Sequence, residues 1–169
     1  MKFTYVLLML LVSLPVAAHG PTPRKTDESI LIKAPLEQVW QSISEPCAIA
    51  AWHPAIAACT SADAMKRKLA LKTGGDIQEE FDEVQVAEKT ISYRFAGDVD
   101  IKAIAVSSLS GRIRLVEEGG QVRVSWMARY YRAFTGNEPP PGQDDETAMQ
   151  AVGQYVLSAL QGLKAHMEK

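Results

Sequence analysis

The sequence predicts an α+β fold, and three patterns predict it. Strand and helix periodicities are segregated along the chain instead of alternating. From Arg67 to Arg132 alternating apolar–polar runs follow one another, separated by Gly-containing turns. The C-terminal stretch carries one long amphipathic stripe. The predicted order is a strand, two short helices, about six antiparallel strands and one long helix. A single amphipathic helix cannot cover both faces of that sheet. The economical solution curls the sheet around the helix and leaves a cavity between them.

Residues 1–18 are predicted to lie outside the domain. Lys2 precedes the apolar run "YVLLMLLVSL", and "PVAAHG" follows, with Val16 and Ala18 suited to the positions before a cut. This is the pattern of a cleaved secretory signal peptide, and the run is shorter than the roughly 20 apolar residues that span a bilayer. Cleavage makes His19 the N-terminus and sends the protein to an oxidising, periplasmic compartment. An amino-terminal histidine can hold copper when a second histidine approaches. Only His53 and His166 remain, so no metal site is predicted.

Residues 19–27 are polar, with two prolines, and are expected to form an extended leader to a domain at 28–169. "SILIK" reads as the first strand. Pro35 suits a first helical turn, and Leu36, Val39, Trp40 and Ile43 recur at helical spacing up to "SEP". A second short helix is expected between Pro46 and Pro54. Strands follow at "RKLALKT", "IQEEFDEVQV", "TISYRFAG" and "IAVSSLSGRIRLVEE", and "GG" then turns the chain into "QVRVSWMARYYR". "FTGNEPPPGQDD" is a loop. Asp144 or Asp145 can cap the last helix, whose stripe is Ala148, Val152, Tyr155, Ala159 and Leu163.

The net charge is −2, and removal of Lys2 makes it one unit more negative. That balance argues against nucleic acid or an anionic membrane surface as partner. After signal cleavage no membrane contact is expected. The two cysteines, Cys47 and Cys59, either bridge or stay as separate buried thiols, and their residue context leaves both open. They do not have the companions of a zinc site. Glu79 shares a strand face with Ile77 and Phe81, where a carboxylate must be paired or bound. Its expected roles are ligand or water binding, or a structural ion pair with an inward arginine such as Arg112 or Arg114. A late arginine cluster, Arg112, Arg114, Arg123, Arg129 and Arg132, with Tyr130 and Tyr131, forms a candidate docking patch for an acidic partner, with Arg129 and Arg132 foremost.

"IKAPLEQVWQSISEP", "WHPAIAAC", "GGDIQEEFDEV…KTISYRF", "VSWMARYYR" and "YVLSALQGLKAHMEK" together resemble the START-like (SRPBCC, polyketide cyclase/dehydrase) superfamily. The resemblance implies the helix-grip fold, a curved antiparallel sheet around a long C-terminal helix with two short helices after strand 1. "WHPAI" and "YYRAFTGNEPPPGQDDETA" are most similar to the MxaD-type periplasmic proteins of bacterial methanol oxidation. That likeness implies a non-catalytic accessory role beside methanol dehydrogenase and its cytochrome c partner. The alternative is a carrier or sensor of a small hydrophobic ligand, with a cyclase or dehydratase third. No cofactor is expected. By resemblance to the superfamily's plant hormone receptors, His53 stands where a lysine meets the ligand, at the mouth of the cavity. Trp52, His53, Glu79, Tyr93, Phe95, Trp126, Tyr130 and Tyr155 are the candidate cavity residues, with a filled aromatic core as the competing reading.

Overall fold

The computed structural model describes residues 20–169, so the expected signal peptide and His19 lie outside the described residues. Seven strands form one antiparallel sheet: β1 (Arg24–Ile32), β2 (Ile56–Asp63), β3 (Lys66–Leu71), β4 (Asp76–Gln85), β5 (Thr90–Phe95), β6 (Val106–Glu118) and β7 (Gln121–Arg132). Their order across the sheet is β1-β7-β6-β5-β4-β3-β2. Helix α1 (Leu36–Ser44) and a 3₁₀ turn (Ala48–Ala51) link β1 to β2, and α2 (Asp145–Met167) closes the chain. This is the predicted helix-grip arrangement.

The strands form where the alternation is strict. In β7, Val122, Val124, Trp126, Ala128 and Tyr130 are buried while their neighbours are not. Register shifts in β2, β4 and β6 mark irregular pairing, and such bulges bend a strand and raise its twist. Gly119 and Gly120 both take positive φ at the β6–β7 turn, the conformation a tight hairpin requires. Helix α2 starts at Asp144, whose side chain accepts the Thr147 N–H at 2.8 Å. Asp145 and Glu146 in its first turn, with Lys164 and His166 in its last, match the helix dipole. Its predicted stripe is buried, with Val156 and Leu160 beside it, and packs against β1 and β7.

Three expectations need correction. Residues 24–27, expected in an extended leader, belong to β1, which pairs with β7 along its whole length from Arg24↔Tyr130. The Arg24–Asp145 ion pair and a Thr26–Tyr130 hydroxyl contact tie that part of the strand to the domain. The second helix is a single 3₁₀ turn, because Pro54 follows too soon for a longer one. Expected to begin at Ile104, the sixth strand begins at Val106, after a turn in which the Ile104 N–H bonds Asp100 O.

Candidate functional site

The inner face of the sheet carries one polar row among apolar ones. Arg67 on β3 stands opposite Glu79 on β4, and Glu79 stands opposite Phe95 on β5. Both charged side chains are buried. Arg67 donates to Glu79 Oε2 through Nε and Nη2, each at 2.6 Å, and through Nη1 to the Pro46 carbonyl at 2.9 Å. Its guanidinium also lies 5.0 Å from the Phe81 ring centre, a favourable cation–π placement. The expected partners Arg112 and Arg114 are therefore replaced by Arg67. They alternate with Ile113 and Leu115 and point to the outer face.

One residue pair along, the Tyr93 ring lies over Gly111 of β6, where an added Cβ would overlap it. That gap lets the fully buried Tyr93 hydroxyl accept the Trp126 indole N–H at 2.9 Å. Trp126 meets Tyr155 of α2 edge-on, with ring centres 6.3 Å apart. Tyr155 in turn packs on His53 at 4.4 Å, and His53 stacks on Trp52 at 6.0 Å. A chain of five rings thus runs from the helical corner, across α2, to the sheet.

His53 is 2% exposed, so it does not stand at a cavity mouth as the resemblance implied. Its backbone N–H bonds Ile49 O, and the ring Nδ1 accepts the Ala55 N–H at 3.1 Å. That bond assigns the proton of the neutral ring to Nε2. Burial, then the charges of Arg67 and Lys72, lower its pKa to about 4, so the imidazole is neutral at pH 7. Burial, then the Glu79 charge, raises both the Tyr93 and Tyr155 phenols above their ordinary value. They are donors and acceptors, not anions.

Three buried polar atoms in this cluster have no hydrogen-bond partner: His53 Nε2, Glu79 Oε1 and the Tyr155 hydroxyl. The set offers one N–H donor, one carboxylate acceptor and one hydroxyl that does either. In chemical type, though with no cavity seen to join the three, they match a hydroxyl or carbonyl group. A surface hollow of about 340 Å³ at the β2–β4 edge is bordered by Arg67 and Glu79, which brings the ion pair close to solvent there.

Of the eight predicted cavity residues, Trp52, His53, Tyr93, Trp126 and Tyr155 form the ring chain, and Glu79 joins it electrostatically. Phe95 flanks Glu79 on the sheet. Tyr130 is buried elsewhere, its hydroxyl 3.0 Å from Thr26. Cys47 and Cys59 are bonded, which fastens the 3₁₀ turn to β2. Arg132 is not a free docking group. It holds Phe134 O, Gly136 O and Asp145 and so fastens the loop before α2. Arg129 is exposed. Arg67 is the site residue that sequence reading missed, although it is in phase with Leu69 and Leu71. Among the described residues no group of three or more His, Cys, Asp or Glu is placed to hold a metal ion, and no helix there is long and apolar enough to cross a membrane.

Solved structures share the fold. An uncharacterised Bacillus thuringiensis protein superposes with a TM-score of 0.72 at 21% identity, over 86% of this chain and 100% of that one. XoxI from Bacillus cereus gives 0.70 at 20% identity, over 86% and 96%. The Zhui aromatase/cyclase from Streptomyces sp. R1128 gives 0.68 at 15% identity, over 87% and 94%. At these identities the likeness shows the fold alone. No curated protein matches by sequence. The family model described as polyketide cyclase/dehydrase and lipid transport matches residues 23–168, and the chain belongs to that family.

Proposed function

We propose that this chain is a periplasmic accessory protein of methanol oxidation, assisting methanol dehydrogenase and its cytochrome c partner without chemistry of its own. The observation that carries a non-catalytic, surface-acting role is the use made of the interior. Trp126, Tyr93, Tyr155, Leu160 and Leu163 are buried between sheet and α2. Among the described residues the one buried carboxylate, Glu79, is held by Arg67, and the one buried histidine, His53, is neutral with Nδ1 engaged. A general acid–base pair needs a group poised to exchange protons near the working pH, and His53, lowered to about 4, is not so poised. The Cys47–Cys59 bridge supports an oxidising compartment. The pathway itself comes from the likeness of "WHPAI" and "YYRAFTGNEPPPGQDDETA" to the MxaD-type proteins, and the fold shared with the protein named XoxI agrees with it.

The test is capture from periplasmic extract with protein lacking residues 1–18. Recovery of methanol dehydrogenase or its cytochrome is expected. Reproducible absence of both contradicts the role.

A second reading, a carrier or sensor of a small ligand, is favoured by the three unpartnered atoms on His53, Glu79 and Tyr155. Native mass spectrometry separates the two. Reproducible added mass on the folded wild-type chain supports the carrier, and the bare chain mass supports the accessory role.

A further inference from the structure

The outer face of the sheet holds three arginines without an acidic partner among the described residues. Arg112 and Arg114 alternate with buried Ile113 and Leu115 on β6, and Arg129 sits between buried Ala128 and Tyr130 on β7. Their cross-strand neighbours are mostly short and neutral. Arg112 faces Ser92 and Met127, Arg114 faces Thr90 and Ser125, and Arg129 faces Ser110 and Lys25. Among the described residues the only side-chain hydrogen bond made by the three runs 3.3 Å from Arg112 to the Ser92 hydroxyl.

Most other charges on this face are engaged, the exception being Glu83, which stands opposite Ser92 and accepts only from the Gln85 amide. Arg94 holds Glu80 and Asp82, Lys25 holds Asp27, and Arg123 holds Glu118. Three guanidinium groups are thus left over on one open face of a chain whose net charge is −2. Residues two apart on a strand repeat at about 7 Å, which puts Arg112 and Arg114 next to each other on the same face. A shallow hollow of about 270 Å³ lies between Arg112 and Arg129, with Met127 in its lining. Planar guanidinium forks match carboxylates in two-point contact, and the exposed Tyr131 beyond them is typical of interface anchors.

We propose that this face docks a protein partner through a cluster of surface carboxylates, with Arg112, Arg114 and Arg129 as the contact groups. As a description of how the accessory role is exercised, it rests on that reading. A nucleic acid or anionic membrane fits less well. Asp27, Glu80, Asp82 and Glu83 flank the three arginines, so the face offers a local basic spot and no continuous basic strip for an extended polyanion to follow.

The test compares the wild type with the triple variant R112Q/R114Q/R129Q, after checking that both unfold at the same temperature. Binding to purified methanol dehydrogenase and to its cytochrome is measured at low and physiological salt. At low salt the variant is expected to bind at least about tenfold more weakly, mainly through a slower association rate. Equal binding by both proteins overturns the docking face and leaves the accessory role standing. Binding by neither removes the accessory role, and an oligoglutamate peptide then decides the face alone. Saturable shifts of the Arg112, Arg114 and Arg129 side-chain N–H resonances support it, and unmoved resonances overturn it. Tighter binding to duplex DNA or phosphatidylglycerol vesicles than to oligoglutamate also overturns it.

Discussion

Arg67 and Glu79 face each other across the β3–β4 pair, and Nη2 and Oε2 are 2.6 Å apart in a buried setting. Arg67 also reaches the Pro46 carbonyl, so one guanidinium joins the sheet to the helical corner. Removing either partner leaves an uncompensated buried charge. Glu79→Gln is expected to cost about 3–5 kcal/mol of stability, whereas replacing both with apolar residues of similar volume is close to neutral. Urea unfolding of the single variant and of the Arg67→Met, Glu79→Leu double variant checks this. A double variant as unstable as the single one would show that the pair is not the source.

His53 makes stability depend on pH in a definite direction. Its folded pKa is lowered to about 4 from the ordinary histidine value of 6.5. Between those values the unfolded chain binds the proton and the folded one does not. The contribution is therefore complete above pH 6.5 and is lost as pH falls toward 4. The full shift corresponds to about 3 kcal/mol. Asp144, Asp145 and other carboxylates, also held low, weaken the fold over an overlapping acidic range. The difference between wild type and His53→Phe isolates the histidine. That difference should shrink from pH 7 to pH 4.5, and a constant difference would contradict a buried neutral imidazole.

The Cys47–Cys59 bridge closes a short loop around the 3₁₀ turn. Chain entropy predicts a loss of about 3 kcal/mol on reduction. Calorimetry of the oxidised protein against the Cys47→Ser, Cys59→Ser variant measures it. Because Trp52 and His53 follow directly, the variant should also show altered tryptophan fluorescence.

Gly162 of α2 sits where an added Cβ would overlap the Trp52 carbonyl and meet Pro54 Cδ at 2.9 Å. Helix propensity alone favours alanine by about 1 kcal/mol. The clash with backbone reverses the sign, and Gly162→Ala should cost about 1–3 kcal/mol net. Gly153, with nothing within 4 Å of its added Cβ, is the control, and its alanine variant should be stabilised. Thermal unfolding of the two variants gives the comparison.

The fold was legible wherever burial imposes alternation. β4 through β7 have one buried face, so parity alone placed Glu79, Tyr93, Trp126 and Tyr130 inside. β2 left no such trace. It is an edge strand in which only Ile56 is buried, and its existence depends on pairing with β3. Arg67 followed the parity of Leu69 and Leu71, but Lys66 and Lys68 on either side gave the stretch the look of a solvated face. The burial of His53 had no local signal, because the ring that covers it is Tyr155, supplied by a helix at the far end of the chain.

The most direct test of the accessory role is the rate at which methanol dehydrogenase reduces its cytochrome c, with and without the protein lacking residues 1–18. The account predicts a faster, saturable rate at equal enzyme concentration, no turnover of methanol by the protein alone, and a smaller gain in R112Q/R114Q/R129Q. A rate unchanged at saturating protein would contradict the central claim.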